Sequence, residues 1–345
     1  MQTFDCACGA TLFFDNTQCT ACGRWTGWCD HCAAVRGLDP SGDLWRCTGC
    51  GTDLAPCANY TGHYACNRMV DAGAGPQCRY CTMNEVIPNL DVPGNAERWA
   101  RLEAAKRRLL FALDRLALPY GPDTRPPLRF SFMGDGEMAG LWRAAGAEER
   151  VFTGHADGLV TINIREADDV EREKLRVDMG EAHRTLIGHF RHEIGHYFWD
   201  LLVRGQDEAG FSAVFGDPAR PTYAEAMDRY YAEGAPDGWK QTHVSAYATM
   251  HPWEDWAETF AFWLDMASVL DTARDLGLMP GPVPDDTGQM LDRYRTLGMV
   301  LNELNREMGL LDFAPEIITD AITAKLAYVH RVIRGAAQGP APLFS

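Results

Sequence analysis

Apolar residues recur every three or four positions through most of the chain after residue 95. This spacing places them on one face of an α-helix. It predicts helices at about 96–118, 182–203, 222–233, 253–271, 285–308 and 316–335. Pro119 ends the first helix. The basic residues of this helix are predicted to lie on its exposed side. These basic residues are Lys106, Arg107 and Arg108.

Three short segments have the character of strands. They are 128–133, 151–154 and 159–164, and the last alternates apolar and polar residues from Val160 to Ile164. Such alternation indicates a half-buried strand. A few strands followed by a run of helices predict an α+β class with a small twisted sheet and a mostly helical remainder.

The distribution of cysteine divides the chain. All 12 cysteines lie between Cys6 and Cys81, and the turn-rich segment 87–94 follows them. A chain of 345 residues with 46% hydrophobic content can bury a sizeable core. We expect two domains, residues 1–90 and 96–340. No apolar stretch approaches the roughly 20 residues that span a bilayer, so we expect a soluble protein with no membrane contact.

The cysteines fall into three groups of four. The first two have CxC or CxxC pairs separated by 10 and 14 residues, a spacing at which two turns present four thiolates to one tetrahedral zinc ion. The third has one CxxC pair, and His63 is a spare donor that could replace Cys57 or Cys66; His31 is a second spare donor. The groups are Cys6, Cys8, Cys19, Cys22; Cys29, Cys32, Cys47, Cys50; and Cys57, Cys66, Cys78, Cys81.

A disulfide framework is the competing interpretation, because the number of cysteines is even. The N-terminus has no basic start and no apolar run, so no export signal is evident. Thiols that stay in the cytoplasm stay reduced, and paired CxxC motifs there indicate metal binding. We therefore expect a cytoplasmic protein with up to three structural zinc ions, whose binding supplies much of the folding free energy of this region.

The stretch from His192 to His196 carries an HExxH motif. Residues four apart share one helix face, so both imidazoles can reach one metal ion with Glu193 beside it. A catalytic zinc ion also needs a third protein ligand and an open position for water. In the metzincin pattern a glycine and a third histidine follow, but Trp199 and Leu202 occupy those positions.

A later helix offers carboxylates instead. Glu254 and Glu258 lie four apart beside an apolar stripe of three tryptophans and a phenylalanine. One of the two could bind zinc while the other accepts a hydrogen bond from the outer nitrogen of a ligand histidine. Four further histidines are predicted to be packing or supporting groups. They are His183, His189, His243 and His251.

This glutamate helix resembles that of the compact gluzincin metallopeptidases, in which an E-F-F-A-E run follows HExxH. The resemblance implies that Glu254 binds zinc and Glu258 supports the site. It also implies that Tyr247, seven residues before Glu254, stabilises the transition-state oxyanion. In zincins an edge strand pairs with the substrate backbone, and the resemblance gives that role to the strand at 159–164.

The whole chain is similar to the bacterial zinc-ribbon-containing zinc-binding metallopeptidase family. The matching segments are CTMNEVIPNLDVPGN, WARLEAAKRRLLFAL, TINIREAD, RHEIGHYFWD and SAYATMHPWEDWAETFAFWL. The resemblance implies a zincin-like fold and peptide or related amide hydrolysis. In this mechanism one catalytic zinc ion is held by His192, His196 and Glu254, and Glu193 is the general base. A peptide or protein would be the substrate.

Two other functions remain open. One is a binding or regulatory protein whose zincin site is vestigial or switched, and the other is a DNA-associated protease. Charge argues against the second, because residues 1–90 hold five Arg, no Lys and eight Asp or Glu, and the chain carries −16. DNA binding depends on Lys and Arg that replace counterions at phosphates. The ribbons are therefore predicted to bind protein or cover the active-site cleft. An amidase or isopeptidase would use the same atoms as a peptidase.

Overall fold

The computed structural model of the protein describes residues 1–134, 153–168, 185–315 and 317–337. These residues belong to two compact units. The first unit lies within 1–110, 129–154 and 159–169, and the second within 111–128, 155–158 and 170–345. Parts of three predicted elements, at 151–152, 182–184 and 316, lie outside the described residues, as does His183.

Short antiparallel strands build the cysteine-rich part of the first unit. One hairpin pairs two strands, and a five-stranded sheet follows in the order β3-β4-β5-β6-β7, with a single helical turn, α1, before β7. The strands are β1 (Thr3–Asp5), β2 (Thr11–Phe13), β3 (Trp25–Cys29), β4 (Ala34–Ser41), β5 (Leu44–Cys47), β6 (Asp53–Pro56) and β7 (Met69–Asp71), and α1 is Ala58–Thr61.

Aromatic rings form part of the core that these strands enclose. Phe4 and Phe14 each contact Trp28 edge-on, with ring centroids 5.8 Å apart. The guanidinium of Arg68 lies 5.1 Å from the centre of the Trp28 ring and 4.0 Å from that of Tyr80. A region this small buries a limited apolar area, so this part of the chain needs further stabilisation from its cysteines.

A second sheet has the order β10-β11-β9-β8. Its strands are β8 (Asn84–Val86), β9 (Arg129–Met133), β10 (Gly154–Ala156) and β11 (Leu159–Asn163). β9 pairs in parallel with both β8 and β11. Because β9 and β10 occupy both sides of β11, the expectation that this strand is an edge for substrate was wrong. Among the described residues, the edge strands of this sheet are β8 and β10.

The first long helix, α2 (Asn95–Arg115), has its basic residues in a different place from the predicted one. Lys106 is fully buried and Arg107 is 6% exposed. The Lys106 ammonium pairs with Glu103 at 2.8 Å, and the Arg107 guanidinium donates to the carbonyl of Ala65. Arg108 is partly exposed and pairs with Asp15. The prediction failed because a buried cation is tolerated when it is paired, which an apolar pattern does not reveal.

The second unit contains six helices among its described residues. Five lie within about four residues of the predicted positions, and α4 was not predicted because eight residues are too few to show a helical period. They are α3 (Leu186–Leu202), α4 (Glu208–Phe215), α5 (Tyr223–Glu233), α6 (Pro252–Asp275), α7 (Thr287–Glu307) and α8 (Asp320–Ala336). A cysteine-rich region with small sheets, followed by a mostly helical part, confirms the predicted α+β class.

Helices α3 and α6 cross closely in the middle of this unit. A Cβ atom on Gly195 would lie 2.9 Å from the Cα atom of Ala257, so only glycine permits the approach. The indole of Trp256 donates a hydrogen bond of 2.8 Å to the carbonyl of Gly195. Phe198 and Phe260 stack 5.2 Å apart on the same interface. The crossing brings the histidines of α3 opposite the glutamates of α6.

Candidate metal centre

Two histidines on α3 and one glutamate on α6 converge on a common point. His192 and His196 lie one turn apart, with their Nε2 atoms separated by 3.2 Å. Glu254, in the first turn of α6, places Oε2 3.0 Å from the His192 Nε2 and 3.5 Å from the His196 Nε2. Ligands about 2.0–2.1 Å from a tetrahedral zinc ion are separated from one another by about 3.4 Å. The three atoms are therefore spaced as ligands of one ion.

The proton position on His192 favours a metal at this point. Its Nδ1 lies 2.6 Å from the Glu258 Oε1, and a carboxylate can only accept there, so Nδ1 carries the proton. In the neutral imidazole the lone pair of His192 is then on Nε2, which faces His196 and Glu254. The Glu254 Oε2 is buried and makes no hydrogen bond within the described part of the chain. A cation between these atoms would satisfy them together.

The electrostatics of the cluster favour positive charge. Burial alone would lower the pKa of His192, but the nearby carboxylates of Glu254 and Glu258 outweigh it and raise this pKa well above its usual value. Burial alone would raise the pKa of Glu254, yet the charges of His196 and His192 hold it well below the usual range. Two carboxylates in a dry site thus stabilise a cation, whether a proton or a metal ion.

Glu193 lies on α3 between the two histidines and is 4% exposed. Its Oε2 is buried, and among the described residues it has no hydrogen-bond partner. Its Oε1 lies 3.6 Å from the His189 Nε2, beyond hydrogen-bond distance. An unpartnered buried carboxylate oxygen is costly unless a ligand or water completes it. The Oε2 of Glu193 is therefore available to accept a proton.

Two tyrosines border the cluster. The Tyr247 ring lies 6.0 Å from the His192 ring, and burial followed by the charge of Glu254 raises the Tyr247 pKa. The Tyr223 hydroxyl donates a hydrogen bond of 2.9 Å to the Glu254 Oε1, and burial raises the Tyr223 pKa as well. Sequence reasoning missed Tyr223, which belongs to no motif and is 31 residues from its partner.

The other histidines have structural contacts. His251 caps α6, with its Nδ1 accepting from the Trp253 backbone N–H at 3.2 Å. His243 lies 3.6 Å from the Asp255 carboxylate, and burial lowers its pKa to about 4. His189 lies edge-on to His192, with ring centroids 6.4 Å apart.

In the first unit, sulfur atoms gather into the three groups of four expected from their spacing. In each group, neighbouring Sγ atoms lie 3.7 or 3.8 Å apart. Thiolates about 2.3 Å from a tetrahedral zinc ion are about 3.8 Å apart, whereas a disulfide requires about 2.0 Å. The distances fit metal sites and do not fit disulfides.

The spare histidine donors lie elsewhere. The His31 Nε2 is 2.6 Å from the Asp71 carboxylate, which raises the His31 pKa. His63 contacts the ring of Trp99, with ring centroids 5.7 Å apart. The third group comprises Cys57, Cys66, Cys78 and Cys81 without a histidine.

The three sulfur groups differ in burial, which predicts different rates of zinc release. All four cysteines of the third group are buried, whereas Cys8 and Cys22 of the first and Cys50 of the second are exposed. A chelator reaches an exposed site directly but a buried one only after local opening. We expect the zinc ions of the first and second sulfur groups to be released at least about tenfold faster than the ion of the third group.

A colorimetric chelator assay resolves these phases. Cys8→Ser should remove one fast phase and leave the slow phase unchanged. Equal release rates for all three ribbon sites would contradict the prediction.

No helix within the described ranges combines the length and apolar character needed to cross a membrane. The four clusters define the class: a zinc-binding protein with a cysteine-rich ribbon region and a separate His/Glu site. Comparison with family models agrees. Residues 3–92 match a zinc-ribbon domain, and residues 95–332 match the family described as "Putative zinc-binding metallo-peptidase". The chain belongs to this metallopeptidase family.

Similar proteins occur in mycobacteria. One relative from Mycobacterium bovis and two from strains of Mycobacterium tuberculosis are each 37% identical to this chain over 347 aligned residues. The alignments cover 96% of this chain and 95% of each relative, and all three relatives are described as uncharacterized proteins. No solved structure matches the chain.

Proposed function

We propose that the protein is a zinc-dependent metallopeptidase of gluzincin type that hydrolyses peptide or related amide bonds. Residues 1–90 would be its zinc-ribbon region with three four-cysteine sites, and residues 96–340 its catalytic domain. One observation carries the proposal. The Nε2 atoms of His192 and His196 and the Oε2 of Glu254 lie 3.0–3.5 Å apart, and Glu193 beside them has an unpartnered carboxylate oxygen.

Each residue of the cluster has one role. His192, His196 and Glu254 hold the zinc ion, and Glu258 holds the proton on His192 Nδ1 and thereby orients the imidazole. A zinc ion bound there would lower the pKa of a water molecule toward neutrality and polarise a carbonyl group.

The chain's own acid and base complete the chemistry. Glu193 accepts a proton from the attacking water and transfers it to the nitrogen of the leaving amine. Tyr247 keeps its proton, because burial raises its pKa, and donates a hydrogen bond to the oxyanion that develops on the substrate.

The metal ligands are tested by counting zinc. We expect wild-type protein to bind four ions and Glu254→Ala to bind three, because the substitution removes one of three ligands. Glu258→Ala should retain four ions but bind the fourth about 10- to 100-fold more weakly, since it loses only the support of His192.

Elemental analysis gives the number of bound zinc ions, and competition with a chelator gives the affinity of the fourth. Loss of the fourth ion from Glu258→Ala together with its retention by Glu254→Ala would show that ligand and support are exchanged. Three ions in the wild type would favour a regulatory protein with a vestigial site.

The ribbon region is proposed to contact protein. Three of its five arginines are paired with aspartates, Arg24 with Asp39, Arg46 with Asp53 and Arg68 with Asp30. Phosphate binding needs cations that are free to release counterions. Nucleic acid is therefore a poor partner for this surface. Cytoplasmic location remains a prediction from the sequence.

A further inference from the structure

The two oxygens of the Glu254 carboxylate have different environments. Oε2 faces the Nε2 atoms of His192 and His196, at 3.0 and 3.5 Å. Oε1 accepts a hydrogen bond of 2.9 Å from the Tyr223 hydroxyl. Because the side chain is only 2% exposed, water is poorly placed to replace that hydroxyl. The phenol thus decides which oxygen of Glu254 is available to a metal.

Local sequence fixes the Tyr223 backbone. Tyr223 is the first residue of α5, directly after a capping box in which the Thr222 hydroxyl accepts from the Glu225 N–H. The Glu225 carboxylate in turn accepts from the Thr222 N–H at 3.0 Å. This reciprocal pair fixes the start of the helix and so the direction of the next side chain.

Packing fixes the Tyr223 ring. It lies edge-on to His251, with centroids 5.2 Å apart, and tilted against Trp253 at 6.2 Å. Both partners belong to the start of α6, the same turn that carries Glu254. The start of α6 therefore holds both the Tyr223 ring and the Glu254 carboxylate.

The Tyr223 hydroxyl donates its only proton to the Glu254 carboxylate. Tyr223 therefore has no proton left for substrate, and the proposed oxyanion role stays with Tyr247.

We propose that Tyr223 is a positioning residue of the metal centre, which holds Glu254 as a ligand through one oxygen. The inference rests on the proposed metal site. Without the Tyr223 hydroxyl, the Glu254 Oε1 is buried and has no hydrogen-bond donor. The carboxylate would then rotate so that both of its oxygens bind the metal. Bidentate binding changes the coordination number and fills part of the space that water and substrate need.

Tyr223→Phe removes the hydroxyl and keeps the ring. We expect the fourth zinc ion to bind about 10- to 100-fold more weakly, the range typical of lost hydrogen bonds to metal ligands. The matched control is Tyr328→Phe. Tyr328 is also a buried phenol that donates to a carboxylate, that of Asp207 at 3.2 Å. Its ring packs on Phe215 and Trp256, and within the described part of the chain no hydrogen bond or ring contact joins it to His192, His196, Glu254 or Glu258.

The experiment measures zinc affinity by chelator competition on full-length wild type, Tyr223→Phe and Tyr328→Phe. Weaker fourth-site binding in Tyr223→Phe alone supports the proposal. Equal affinity in all three proteins, or equal weakening in both variants, overturns it. A wild-type protein that binds only three zinc ions would instead contradict the proposed metal site itself. Failure of the Tyr223 proposal is therefore distinguishable from failure of the metal site.

A spectroscopic measurement separates positioning from a loss of stability. For this measurement cobalt is substituted for zinc at the fourth site, while the ribbon sites keep zinc. The visible absorption of cobalt then reports its coordination number. Tyr223→Phe should shift the spectrum toward the weaker bands of five-coordinate cobalt, and Tyr328→Phe should retain the wild-type spectrum. An unchanged spectrum in Tyr223→Phe overturns the proposal even if its affinity falls.

Discussion

The Glu193→Gln protein is expected to bind four zinc ions and to hydrolyse peptide bonds at least about 100-fold more slowly than the wild type. Glutamine has the same shape as glutamate but cannot accept a proton from water. Glu193 is not one of the three residues whose atoms converge at ligand spacing, so its replacement leaves the metal ligands intact. The substitution thus separates metal binding from proton transfer.

A peptide library analysed by mass spectrometry gives the rate, and elemental analysis gives the zinc content. Glu233→Gln is the matched control, because Glu233 is an exposed glutamate at the end of α5. It should retain both full activity and four ions. Wild-type rates in Glu193→Gln would rule out its role as the base, and loss of the fourth ion would give it a ligand role instead.

The largest effect on stability is expected from Cys78→Ser in the third sulfur group. Cys78 is 2% exposed, and all four members of its group are buried. Structural zinc contributes about 10–16 kcal/mol to small domains, as much as the whole stability of a typical domain. Loss of this ion should therefore unfold the cysteine-rich part of the first unit.

Thermal unfolding and limited proteolysis measure this effect. The variant should bind at most three ions, because unfolding also weakens the other two ribbon sites, and it should be cleaved rapidly within residues 1–90. Cys8→Ser, at an exposed ligand, should lose one ion and remain largely folded. A Cys78→Ser protein with four ions and an unchanged melting temperature would contradict the proposed structural site.

The sequence was sufficient to predict most of the helical part. Thr222 caps α5, and His251 followed by Pro252 marks the start of α6. The expected neighbours in the metal centre also came together, because helical spacing places His192 beside His196 and Glu254 beside Glu258. Assignment of Glu254 as the ligand rested on family resemblance, since spacing treats the two glutamates alike.

Other features depend on tertiary contacts that a linear pattern does not contain. Lys106 is buried because Glu103 and Asn84 pair with it, and the polar pattern alone placed it outside. The inner position of β11 depends on β10, three residues long, whose pairing cannot be deduced from its length. Tyr223 reaches Glu254 only through the packing of α5 on the start of α6.

Peptide-bond hydrolysis at the cluster around His192 and His196 is tested by comparing new N-termini in cell lysate after incubation with wild type and with Glu193→Gln. We expect a reproducible set of new N-termini with the wild type. None of these should appear with Glu193→Gln, although that protein carries four zinc ions. The same set of new N-termini with both zinc-loaded proteins would contradict it.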